Sequence, residues 1–185
     1  MARIGLRNFK YSLLDDNENV IEPKTLGKAV DCSVSLELNE ATLYADDTLA
    51  ESDYSFRQGT VTLSVDDDDD KTFAELLGHQ ISEEGEVVRK DTDTPPYVAL
   101  GRILTKVVNS VRKYKVEILT KVKFKDTMPE ETTKGESIEY TTPSLEGTAY
   151  VPTNGIWSKS QTFTDYDEAQ QYLTECLTGS SKPSV

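Results

Sequence analysis

Residues that could carry out chemistry are sparse in this chain. His79 is the only histidine, so a Ser-His-Asp or Cys-His mechanism would rest on it alone. It follows Gly78 at the end of a short helical pattern, a position that suits a solvated cap or surface residue. Cys32 and Cys176 are the only cysteines. One falls among the apolar positions of a strand pattern and the other among those of a helix pattern, so both read as reduced core residues. These three residues have no zinc-site spacing, and Gly101 and Gly147 stand apart from any phosphate-binding loop. The most conspicuous local feature is the run Asp66-Asp67-Asp68-Asp69-Asp70. Calcium sites need spaced oxygens, and five adjacent carboxylates cannot all face one small ion. The run reads as a solvated strand-to-helix loop whose last members complement a helix dipole, or as an acidic interaction patch. A carboxylate pair for glycoside hydrolysis could be picked anywhere among 33 acids, so no pair is singled out. No catalytic, cofactor-binding or metal-ligating residue is assigned, and the chain is expected not to be an enzyme.

Charge placement is more informative. The 185 residues include 20 Lys or Arg and 33 Asp or Glu, a formal net charge of −13. Such a balance argues against a general nucleic-acid binder and against a polybasic membrane-surface protein. Between residues 46 and 70, nine acids (Asp46, Asp47, Glu51, Asp53 and Asp66 to Asp70) face only Arg57, a local balance of −8. Between residues 102 and 125, eight bases (Arg102, Lys106, Arg112, Lys113, Lys115, Lys121, Lys123 and Lys125) face only Glu117, a balance of +7. These read as two solvated faces of opposite sign, or as an acidic face of one subunit meeting a basic face of another. Aromatics do not interleave with the basic face, as a single-strand nucleic-acid platform would require.

The elements that must position these charges are mostly strands. In residues 28–38, Val30, Cys32, Val34, Leu36 and Leu38 alternate with polar residues, predicting a half-buried strand. A second strand follows Gly59, with Val61, Leu63 and Val65 inward. Residues 97–108 and 111–125 predict two long strands joined by a tight turn at Asn109-Ser110. In the second of these, Tyr114, Val116, Ile118, Val122 and Phe124 share one face, and Lys113, Lys115, Lys121, Lys123 and Lys125 lie opposite. Shorter strands fit residues 137–142, 147–151 and 156–163. A short helix spans residues 71–77, with Asp69 and Asp70 as cap candidates and Gly78 as its stop. A longer C-terminal helix is expected with Thr164 as its cap and Asp165, Asp167 and Glu168 in its first turn, its stripe being Ala169, Tyr172, Leu173 and Cys176. Such strands exceed the usual length of about 5–6 residues, and their long edges invite pairing between subunits.

The expected fold is mainly β, an antiparallel β-sandwich or barrel with a flanking C-terminal helix and one short helix, in a single domain over residues 1–185. Residues 1–27 are expected as an N-terminal arm, 40–56 as a long inter-strand loop and 178–185 as a loose tail. The loop carries Tyr44, Asp46, Asp47, Asp53, Tyr54 and Phe56, and long ordered loops bearing aromatics are common interface anchors. They can equally cover the domain's own core. The start lacks the apolar stretch of a signal peptide, and no run reaches the length of a membrane helix, so synthesis in the cytoplasm is expected.

Several segments carry a resemblance. Residues 4–11 (IGLRNFKY), 26–30 (LGKAV), 40–47 (EATLYADD), 73–79 (FAELLGH), 114–117 (YKVE) and 133–139 (TKGESIE) are similar, in order, to the major tail proteins of long-tailed phages of the phi-thirteen type. The likeness spans almost the whole chain, departing at 91–96 and beyond Gly179. It implies a tail tube protein, with hexameric rings stacked into a hollow conduit and extended loops hooking adjacent rings. Implied partners are further copies of the chain and the tape measure, tail terminator and distal tail proteins. Genomic DNA would pass through without sequence-specific binding, and no cofactor or membrane is implied. The place would be the virion tail, after synthesis in the host bacterium. Alternatives are a type VI secretion tube component, a monomeric adhesion or carbohydrate-binding β-sandwich and, last, an acidic hydrolase.

Overall fold

The chain begins as part of the sheet. In the computed structural model, which describes residues 2–45, 48–66, 69–126 and 142–178, β1 (Ala2–Leu14) and β2 (Val20–Gly27) form an antiparallel hairpin. Residues 1–27 are therefore not an arm. Phe9 and Tyr11 of β1 are among the largest fully buried side chains, and truncating a ring so placed costs about 3–5 kcal/mol. The strand was hard to read because it bulges at Asn8, which has φ 52°. Leu6 and Phe9 pack in one core three residues apart, which hides the period of two.

β3 (Ala29–Ala45) and β4 (Thr48–Val65) form a second, much longer hairpin, in register from Ala29↔Val65 to Ala45↔Thr48. The expected loop at 40–56 is thus strand over residues 40–45 and 48–56. Its Leu, Thr and Tyr residues suit a pleated backbone, and its acids suit the solvated surface of an edge. α1 (Asp70–Leu77) starts at Asp69, whose side chain caps the Thr72 N–H, and ends at Gly78 in the left-handed region. The short β5 (Gln80–Ile81) and β6 (Val87–Val88) make a separate two-stranded ribbon.

β7 (Tyr97–Val108) and β8 (Val111–Lys125) have the boundaries the periodicity predicts. Asn109 and Ser110 between them both have positive φ, the conformation of a two-residue hairpin turn. The single apolar face expected for β8 is incorrect. Val98 pairs with Val122 and Leu100 with Leu119, so β8 carries one extra residue between these rungs and its pleat turns over. Tyr114, Val116 and Ile118 pack with the C-terminal helix, whereas Leu119, Val122 and Phe124 join the other core. β9 (Ser144–Ala149), β10 (Ser158–Phe163) and α2 (Tyr166–Leu177) complete the fold. Asp165, not Thr164, caps α2, accepting from the Asp167 and Glu168 N–H groups. The expected strand at 137–142 and the tail beyond Thr178 fall on residues that are mostly outside those described.

Eight strands make one antiparallel sheet in the order β2-β1-β7-β8-β9-β4-β3, with β10 also pairing with β8. Among the described residues it does not close into a barrel. It curls so that β1, β2, β7, β8, β9 and β4 enclose one core, around Phe9, Tyr11, Leu63 and Phe124. α2 covers a second core through Ala169, Leu173 and Leu177. β2 and β3 are left as the edges. No helix among the described residues is long and apolar enough to cross a membrane.

Candidate assembly surface

The β3–β4 hairpin is anchored at one end only. β4 pairs with β9 over residues 59–64, and beyond Gly59 its only strand partner among the described residues is β3. Thr48 lies eleven positions along the strand from Gly59, a reach of about 35 Å at the rise of a β-strand. The near end of this projection is held by Phe56, whose ring stacks on Trp157 at 4.1 Å between centroids. The alternation expected of β3 is present, but its burial is not. Cys32 and Val34 are half-buried against the core, while Val30, Leu36 and Leu38 remain 50, 47 and 52% exposed. Tyr54 on the facing strand is 57% exposed, and its hydroxyl donates to Glu40 Oε1 at 2.9 Å. A row of apolar side chains at the open edge of a sheet is a surface suited to pairing with another chain. Tyr44 and Asp53 lie on this hairpin, registered with Leu49 and Ala41. Asp46 and Asp47 fall outside the described residues.

Of the aspartate run, the described members Asp66, Asp69 and Asp70 have local structural roles. Asp66 accepts from the Lys28 N–H at 2.8 Å, which holds its carboxyl below the usual range, and its other oxygen lies 3.2 Å from Lys28 Nζ. Asp69 caps α1 and is held low by the Thr72 hydroxyl and N–H. Asp70 begins the helix. These three serve local structure, and Asp67 and Asp68 fall outside the described residues.

Most of the basic face is neutralised within the chain. Arg102 and Lys115 both pair with Glu117, at 2.8 and 2.5 Å. Lys121 pairs with Glu18 at 2.5 Å, and Lys125 with Glu146 at 2.7 Å. Lys121 and Lys123 also lie over the Tyr97 ring, at 4.4 and 5.2 Å. Lys113 is the exception, and it belongs with Lys106 and Arg112 near the β7–β8 turn, none of which pairs with a described acid. The Cys32 thiol is pushed above its ordinary pKa by burial, as expected of an inert core cysteine.

His79 is not a surface residue. Its side chain is only 5% exposed and lies between two carboxylates, with Nδ1 2.9 Å from Asp93 Oδ2 and Nε2 3.2 Å from Asp126 Oδ2. The second contact has an ion-pair distance but is not a hydrogen bond, so Nε2 has no hydrogen-bond partner among the described residues. Asp93 also accepts from the Lys90 N–H, and that bond, ahead of the one to His79, holds its carboxyl low. The sequence spacing hid this cluster because Asp93 and Asp126 meet His79 only through the turn after β6 and the far end of β8. A His-Asp pair can serve acid–base chemistry, but here the second imidazole nitrogen faces another carboxylate and no described hydroxyl or thiol bonds to it. A cavity of about 350 Å³ opens beside it, walled by Phe73, Leu77, Val87, Arg89 and Leu145. The arrangement fastens the β5–β6 ribbon to the sheet. Among the described residues no group of three or more His, Cys, Asp or Glu could hold a metal ion. Comparison with protein-family models and with curated proteins finds no match for this chain.

Proposed function

We propose that this chain is a structural tail-tube protein, whose copies assemble through their open sheet edges into rings that stack as a DNA conduit in a virion tail. The observation that carries this reading is the β3–β4 hairpin. Its outer half pairs with no other described strand, and it carries Leu36, Leu38 and Tyr54 in solvent. A monomer gains nothing from a 17-residue edge strand with an apolar row, whereas an assembly buries the row and satisfies the unpaired backbone groups. The sequence resemblance supplies the ring and the virion. The net charge of −13 suits a conduit, since an anionic wall repels the phosphate backbone and lets the duplex slide where a cationic wall would hold it.

Deletion of residues 45–53 tests the reading. The shortened chain is expected to fold, because the described residues of both cores lie outside the deletion, and to form no rings or tubes under conditions in which the full chain does. Tubes of ordinary length from the deletion variant would refute the role given to the hairpin.

A further inference from the structure

We infer that the outer half of the β3–β4 hairpin docks on the cationic end of the β1–β7–β8 sheet of a second copy of this chain; the inference rests on the assembly reading and specifies one of its contacts. Residues 37–54 hold six acids (Glu37, Glu40, Asp46, Asp47, Glu51 and Asp53) and no base. Among the described residues Glu37 and Glu40 bond to neutral partners, the Gln58 amide at 2.7 Å and the Tyr54 hydroxyl at 2.9 Å, and neither forms an ion pair with a described base. The opposite excess sits where three strands end together. Arg3 registers with Lys106 and Lys106 with Lys113, one rung of like charge across β1, β7 and β8. Arg112 follows on the next rung, opposite Val107. Lys106, Arg112 and Lys113 form no ion pair with any described residue, although the bases farther along β8 are paired or lie against an aromatic ring.

Like charges directly opposed on neighbouring strands destabilise a sheet, and here nothing described within the chain offsets them. Among the described residues no ion pair joins β3 or β4 to these bases, and neither strand is paired with β7 or β8 in the sheet. A second copy carries both surfaces, so each hairpin can meet a cationic end and offer its own cationic end to the next neighbour. Such head-to-tail contacts propagate or close into rings. DNA is the other polyanion to consider, but DNA bound at the cationic end would leave the acid-only hairpin without a role.

Four chains decide the matter: wild type, K106E/R112E/K113E, E37K/E40K/E51K/D53K, and the combination of both sets. Thermal melting identifies those that fold, and K106Q/R112Q/K113Q replaces the first variant if it does not. Sedimentation against protein concentration is then measured at low salt and at about 0.5 M salt, where surface charge is screened beyond a few ångströms. Each one-sided reversal is expected to raise the concentration needed for assembly by roughly tenfold or more, the neutral variant by less, and the combination to restore it. Wild-type assembly is expected to weaken with salt. If the wild type assembles and either reversal assembles equally well, or the combination is no better than each reversal alone, this contact is wrong and the assembly reading survives. A wild-type chain that stays monomeric at every concentration overturns both.

Discussion

Replacing Leu36, Leu38 and Tyr54 together with threonine removes the exposed apolar row while keeping a β-favouring residue at each position. Their side chains are 47, 52 and 57% exposed, so about half of each has yet to be buried. Full burial of such a side chain contributes about 1.5–3 kcal/mol, which leaves roughly 1 kcal/mol per residue to be gained on assembly. Three positions give about 3 kcal/mol per contact, or about two orders of magnitude in its association constant. The same substitutions touch neither core, so the isolated chain is expected to lose less than about 1 kcal/mol of stability. Sedimentation velocity across a concentration series reads the first quantity, and thermal melting reads the second. A triple variant that assembles at the wild-type concentration would show that the row stays in solvent. A large drop in melting temperature would show instead that the row belongs to the chain's own core.

Three further outcomes follow from the fold. Gly78 has φ 77°, and a Cβ added there would lie 2.4 Å from the Thr94 carbonyl oxygen, so Gly78→Ala is expected to cost about 2 kcal/mol or more and lower the melting temperature by about 4–8 °C; an unchanged melt would refute the close approach. Burial pushes the Glu117 carboxyl up, but Lys115 and Arg102 outweigh it and hold the group below its ordinary pKa. A carboxyl depressed in the folded state stabilises above its unfolded pKa, and the contribution is lost as pH falls through the folded value. Glu117→Gln is therefore expected to cost about 2 kcal/mol near neutral pH, with the two melting temperatures converging as pH falls below the ordinary glutamate range and through the lowered value; parallel curves would contradict the assignment. In a double-mutant cycle, Phe56→Ala and Trp157→Ala are expected to couple by about 0.5–1.5 kcal/mol through their stacked rings, and additivity would mean that the hairpin is not held there.

The parts of the fold legible in the sequence were those governed by local periodicity. β7, β8, the turn between them and both helices follow from alternation, an Asn-Ser turn pair, the capping Asp69 and terminal Gly78 of α1 and the apolar stripe of α2. The misread parts all involve bulges or partners distant in sequence. Asn8 breaks the period of β1, and the extra residue in β8 exchanges its faces, and neither change alters composition. The 40–56 segment reads as a loop because its acids and hydroxyls resemble one, yet an edge strand in water tolerates the same residues. For the candidate surface, the segregation of charge is legible in the sequence, but not which charges remain open. Glu117, Glu18 and Glu146 pair with Lys115, Lys121 and Lys125 of the basic strand and with Arg102 beside it, through pairings that depend on three-dimensional register. His79 illustrates the same limit, since the carboxylates that bury it come from Asp93 and Asp126.

Negative-stain electron microscopy of the purified, concentrated chain tests self-assembly most directly. Rings of uniform diameter that stack into hollow tubes are the predicted result. A field of single particles the size of a 20.6 kDa monomer, unchanged at the highest concentration reached, would contradict it.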